Sequence, residues 1–129
     1  MTERSKVSFL VMSSDDDRLL RLGLWVLSAA SVGEAVDVLL TSRPLREWVK
    51  GSFGADGAQA RAAGQVEGLA PPRTLLRQAQ ELAPVRILTC DTEWHLAGLT
   101  EEAVVEAVDE IVSLPTFWRD ASGSRLVTI

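Results

Sequence analysis

Residues 6–12, KVSFLVM, are apolar or β-branched at nearly every position and end in Ser13-Ser14, followed by Asp15-Asp16-Asp17. A strand with one wet face would alternate apolar and polar residues. A short, nearly unbroken apolar run closed by turn formers instead reads as a strand buried on both faces, as in a parallel sheet. The aspartates supply an N-cap and first-turn carboxylates, and Asp17 and Arg21 are spaced i,i+4, so a helix is predicted to run to about Ser31 before Gly33 stops it. Residues 35–41, AVDVLLT, repeat the buried-strand pattern. Pro44 then fixes φ for a short helix through Leu45, Trp48 and Val49 that Gly51 closes.

The same alternation continues downstream. Pro71-Pro72 opens a helix carrying Leu75, Leu76, Ala79 and Leu82, and Pro84 ends it before a strand at 85–89, VRILT, which places Cys90 at the strand's C-terminal end. Gly98-Leu99-Thr100-Glu101-Glu102 reads as a turn, a cap and an acidic first turn. A helix to about Val108 and a short strand at 110–113 follow. Pro115 begins a last helical turn with Phe117 and Trp118, Gly123 breaks it, and 125–129, RLVTI, makes a closing strand. Strands alternating with helices imply right-handed crossovers, so one α/β domain over residues 1–129 is expected, its mainly parallel sheet of about five strands covered on both faces. Glycines 51, 54, 57, 64 and 68 interrupt any apolar period between residues 51 and 70, which makes that stretch the expected mobile loop.

Composition narrows the function classes. With 129 residues and 47% hydrophobic content the chain can bury a core without staples. A single cysteine excludes an internal disulfide and fits a reducing, cytoplasmic setting. The apolar stretch 19–30 is too short and too interrupted to span a bilayer, and no export signal is visible, so no membrane partner is expected. Eighteen acidic against thirteen basic residues give a net charge of −5 without any Lys/Arg cluster, which argues against nucleic acid. Neither GxGxxG after the first strand nor GxxxxGK[ST] occurs.

In open α/β sheets, reacting groups collect outside the C-terminal ends of the strands. Ser13, Ser14, Asp15, Asp16, Thr41 and Asp91 therefore form the expected ligand cleft. Within six residues, Cys90, Asp91, Thr92, Glu93, Trp94 and His95 bring together a thiol, two carboxylates, a hydroxyl and the chain's one imidazole. Carboxylates beside a thiol oppose its ionisation, while a helix N-terminus or a cation favours it, so this spacing leaves open whether Cys90 is a nucleophile or a packed small hydrophobe. One Cys and one His cannot fill a zinc shell, and no HExxH or CxxC is present, so neither a metal nor an organic cofactor is expected.

In the order KVSFLVMSS, VDVLLTSRPLREW, LLRQAQELAPVRILTCDTEWHLAGLT and VVEAVDEIVSLPTFW, the chain resembles the DsrE-like (DsrE/DsrF, TusD) sulfur-relay family over nearly its full length. The most specific piece is the apolar strand ending in Cys90, followed by the Gly98-Leu99 turn and a short strand entering a Pro/Phe helix. The resemblance implies a flavodoxin-like three-layer sandwich, assembly into homotrimers, homohexamers or hetero-oligomers, and a cysteine at the Cys90 position that carries sulfur as a persulfide. His95 and Thr92 are then the expected hydrogen-bonding helpers, and sulfur donor and acceptor proteins the expected partners. The competing expectation is an oligomeric binding or scaffold protein in which Cys90 is inert. Oligomerisation has a physical motive as well: Leu19, Leu20, Leu22, Leu24, Trp25, Val26, Leu27 and Ala30 girdle the first helix more widely than one sheet face can bury, and Trp25, Trp48, Trp94 and Trp118 offer interface anchors.

Overall fold

The computed structural model describes residues 5–54 and 70–129. Among the described residues, five strands and six helices follow one another as β1 (Lys6–Val11), α1 (Asp16–Ser31), β2 (Ala35–Leu40), α2 (Ser42–Lys50), α3 (Pro72–Leu82), β3 (Val85–Thr89), α4 (Asp91–Leu96), α5 (Glu101–Ala107), β4 (Glu110–Ile111), α6 (Leu114–Ala121) and β5 (Arg125–Thr128). The strands form one all-parallel sheet in the order β4-β3-β2-β1-β5, and the architecture is a flavodoxin-like three-layer α/β sandwich. Local signals act as expected: Asp15 caps α1 by accepting from the Arg18 amide at 3.0 Å, Asp17 lies 3.5 Å from Arg21, and Gly51 closes α2 at φ 83°. Residues 91–96, for which the sequence pattern suggested no element, are the short helix α4. Most of the stretch expected to be mobile, residues 55–69, lies outside the described residues. Its first part is anchored, because the Phe53 ring is buried edge-on to Trp48 with centroids 5.2 Å apart.

The strand order dictates how the helices are distributed. From β1 the chain steps to β2, β3 and β4 in one direction, and right-handed crossovers in one direction put every connecting helix on one face. On that face Val7, Phe9 and Val11 of β1, Val36, Val38 and Leu40 of β2 and Val85 and Ile87 of β3 pack with Leu22 and Val26 of α1, Trp48 of α2, Leu76 of α3 and Val104 of α5. Only the step from β4 back past β1 to β5 runs the other way. Among the described residues α6 alone therefore covers the second face, setting Phe117 against Leu39, Leu88 and Val112. Coverage of both faces was expected; the topology makes it lopsided.

The wide girdle of α1 is largely satisfied within the chain. Its sheet-facing side enters the main core, and its flank bearing Leu20, Leu24 and Leu27 packs with Leu75 of α3. Gly23 allows this crossing, since a Cβ there would stand 3.0 Å from the Leu75 Cβ and 3.3 Å from the Pro72 backbone. Trp25 is the large residue of the girdle left outside, at 48% exposure. Trp48 is likewise no surface anchor. It is fully buried, donates from Nε1 to the Ala107 carbonyl at 2.8 Å, and carries the Arg73 guanidinium 4.2 Å from its ring centroid.

On the thinly covered face, a charged row crosses four strands at the strands' N-terminal half. Asp37, in the middle of an otherwise apolar strand, receives Lys6 at 2.8 Å and both arms of Arg86 at 2.8 Å, and Arg86 also reaches Glu110 at 2.7 Å. Burial alone would raise the Asp37 pKa, but the hydrogen bonds and charges of Arg86 and Lys6 outweigh it and hold the carboxyl below the ordinary aspartate value. A carboxyl depressed in the folded state gives stability that is fully present above its unfolded pKa of about 3.9 and is lost as pH falls through the folded value. Asp37→Asn is accordingly expected to cost about 1–3 kcal/mol at neutral pH, the partial exposure of Arg86 and Lys6 keeping the figure modest. The variant should also lose less stability than wild type as the pH is taken below about 4. Chemical denaturation as a function of pH checks both.

Candidate functional site

Because all five strands are parallel, their C-terminal ends share one edge, and β1, β2 and β3 are neighbours there. Ser13 to Asp16, Thr41, and Cys90 to His95 therefore line that edge in sheet order. The direction of winding reverses between β1 and β5, so Ser13 and Ser14 follow a strand that borders the switch point, while Cys90 stands two strands away, about 10 Å at the usual strand spacing.

Three of the six residues expected to line the cleft, Ser13, Asp15 and Thr41, already serve the backbone. The Ser13 hydroxyl accepts from the Asp15 amide at 3.0 Å, and Asp15 is committed to the α1 cap. Asp16 sits in the first turn of α1, beside the positive end of its dipole. The Thr41 hydroxyl donates to the Val11 carbonyl at 2.8 Å, tying the end of β2 to that of β1. Asp91 Oδ1 accepts from the Trp94 indole at 3.1 Å. Ser14 differs, because its Oγ is shielded from solvent and has no hydrogen-bond partner.

Thr41 occupies the N-cap position of α2 but makes no side-chain cap, its hydroxyl being turned to Val11. The missing acceptor comes from another element: Glu93 Oε2, in the first turn of α4, accepts from the Ser42 amide at 2.8 Å. A carboxylate there also faces the positive end of the α2 dipole. A second link closes the pair, Arg46 Nε donating to the Ala97 carbonyl at 3.1 Å. Sequence reasoning assigned Glu93 only to the acidity around Cys90. An acidic residue in a helix's first turn ordinarily serves its own helix, and nothing in its spacing signals a cap on a different one.

Cys90 is extended, φ −119° and ψ 163°, and takes the N-cap position of α4 without a side-chain cap hydrogen bond. The residue is 4% exposed. The proposed helpers are placed less closely than the sequence grouping suggests. Thr92 is exposed on the first turn of α4. His95 stacks on Trp94, with centroids 3.8 Å apart, and its Nδ1 lies 2.7 Å from the Asp91 carbonyl oxygen. Among the described residues no hydrogen bond joins His95 to the Cys90 thiol, and no group of three or more His, Cys, Asp or Glu side chains is placed to hold a metal ion. No helix among them is long and apolar enough to cross a membrane. No family model matches the chain, and no curated protein is significantly similar to it.

Cys90 is buried and is the N-cap residue of α4, so a local opening of that helix moves the backbone that holds the thiol. None of the six residues of α4 is buried; Trp94 alone of them packs, partly buried, against the core, and two polar links fasten the helix to α2. Segments held in this way open locally at low cost. Glu93→Ala removes one link, worth about 1 kcal/mol, and should speed alkylation of Cys90 in the native protein about fivefold. Glu102→Ala, on the exposed side of α5, should leave the rate unchanged. Mass-spectrometric labelling kinetics decide it, and equal rates in wild type and Glu93→Ala would refute local opening of α4 as the route to Cys90.

Proposed function

We propose that this chain is a sulfur-relay carrier in which Cys90 accepts sulfane sulfur and passes it on, a transferase component acting between donor and acceptor proteins. The observation that carries the reading is the position of Cys90: the sole thiol of the chain lies at the C-terminal edge of a parallel sheet, at the start of a short helix with no buried residue, and makes no cap hydrogen bond. The order of motifs, which resembles that of the DsrE-like family, supports the same reading, as does the reducing setting that a single cysteine fits.

The chemistry needs no outside oxidant. The Cys90 thiolate attacks the terminal sulfur of a donor persulfide, the donor's S–S bond breaks, and the donor thiolate leaves as Cys90–S–SH forms. An acceptor thiolate then attacks that outer sulfur and the Cys90 thiolate leaves, so each transfer moves one sulfur atom with no net redox change. His95 and Thr92, both on α4, are the groups available to hydrogen-bond an incoming partner once α4 moves. The family resemblance assigns the carrier to a homotrimer or homohexamer.

A second reading is favoured by a specific observation, the 4% exposure of Cys90. Free cysteines at that burial are commonly packing residues. The protein is then a non-catalytic oligomeric binding or scaffold protein with an inert thiol.

Intact-protein mass spectrometry after incubation with inorganic polysulfide separates the two. The carrier reading expects wild type to gain one sulfur atom, to lose it to an added thiol, and Cys90→Ala to gain none. A wild type that takes up no sulfur while remaining folded would leave the scaffold reading in its place.

A further inference from the structure

The two edges of the sheet are unequal. β4 is two residues long, and its Glu110 is held by Arg86. β5 is four residues long, and among the described residues nothing pairs with its outer side. Natural sheets guard such an edge with lysine, proline, a bulge or a covering segment. β5 contains no proline or lysine, and its one charge, Arg125, is already paired with Glu34.

Which backbone groups are open can be read from the ladder. Ile129 donates to the Leu10 carbonyl at 2.9 Å and accepts from the Met12 amide at 2.8 Å, so residue 129 turns its backbone groups toward β1. By the alternation of a strand, Arg125 and Val127 do the same, and the N–H and C=O of Leu126 and Thr128 point outward. Beside this edge, on the helix-covered face, α1 stops short of β5 and leaves a groove of about 470 Å³ walled by Phe9, Trp25, Ala29, Val32 and Val127. Trp25 is half exposed there, and on the opposite face Leu126 is 42% exposed.

We propose that the outer edge of β5 is a two-fold interface between copies of this chain, the two β5 strands pairing antiparallel about Val127 and joining two five-stranded sheets into one. The strand is self-complementary in this register. Leu126 and Thr128 of each copy meet Thr128 and Leu126 of the other, so the outward N–H and C=O groups of both pair reciprocally. Val127 faces its symmetry mate, which fuses the two grooves into one apolar channel with a Trp25 on each wall. The two Arg125 side chains fall about 13 Å apart along the strands, and each keeps its own Glu34, so no like charges are forced together. The interface uses nothing of Cys90 and stands or falls independently of sulfur transfer.

Sedimentation equilibrium of the full chain tests it, with two variants. Thr128→Pro deletes an outward N–H and leaves the β1 ladder intact, a place where an edge strand tolerates proline. Leu126→Lys sets like charges across the axis. Wild type should sediment as a dimer of the 14.0 kDa chain or as an even-numbered assembly containing that dimer. Both variants should weaken the two-fold association at least tenfold while melting as monomers of native stability. A wild type that is monomeric or trimeric, or variants that associate as tightly as wild type, would overturn the proposal; a monomer that instead binds an extended peptide along β5 would assign the edge to a different partner.

Discussion

A parallel strand cannot hand the chain directly to its neighbour, and the rest of this structure depends on that constraint. Each return to the start of the sheet needs a crossover, and the crossover is right-handed. Three steps in one direction stack α1 through α5 on one face, and one step back places α6 alone on the other. The C-terminal ends of β1, β2 and β3 are thereby set side by side, so that a thiol, a serine with an unpartnered hydroxyl and the start of α2 share one edge. The same winding leaves β5 outermost, beside an α1 that lies over the centre of the sheet.

Polar side chains complete what the crossovers leave unfinished. Asp37 would be costly in a buried strand without partners, and Lys6 and Arg86 reach it from both neighbouring strands and hold it charged. Glu93 performs the corresponding service at the C-terminal edge by capping α2 when Thr41 is turned to Val11. The two carboxylates differ in what they hold together. Asp37 ties strands of one sheet, whereas Glu93 ties two short helices, one of which begins at Cys90, and of these the second is the weaker joint.

Much of the fold was legible because burial on both faces writes long apolar runs into strands, and caps and prolines mark helix starts: Asp15, Pro72 and Gly51 each act where the sequence placed them. The α4 helix was not legible, since six residues with no buried side chain carry no apolar period. Neither was the interior place of Trp48, because a tryptophan on a short amphipathic helix reads alike whether it faces the core or a partner; only the Ala107 carbonyl and the Arg73 guanidinium around it decide. At the site, the sequence brought Cys90, Thr92 and His95 together as neighbours. The helix then separates them, turning His95 onto Trp94 and Thr92 to solvent and keeping the thiol inside. Contacts between chain segments far apart, such as Glu93 with Ser42, leave no local pattern to read.

Cys90 becomes reachable either by local movement of α4, the helix it begins, or only by loss of the whole fold. Native-state thiol labelling of Cys90 across a series of low denaturant concentrations measures this directly, because the slope of the opening free energy scales with the surface exposed. The structure predicts a labelling rate nearly independent of denaturant well below the unfolding transition, the mark of a small local opening. A rate that rises with the full slope of global unfolding from the lowest concentrations onward would contradict it and make Cys90 a residue of the core.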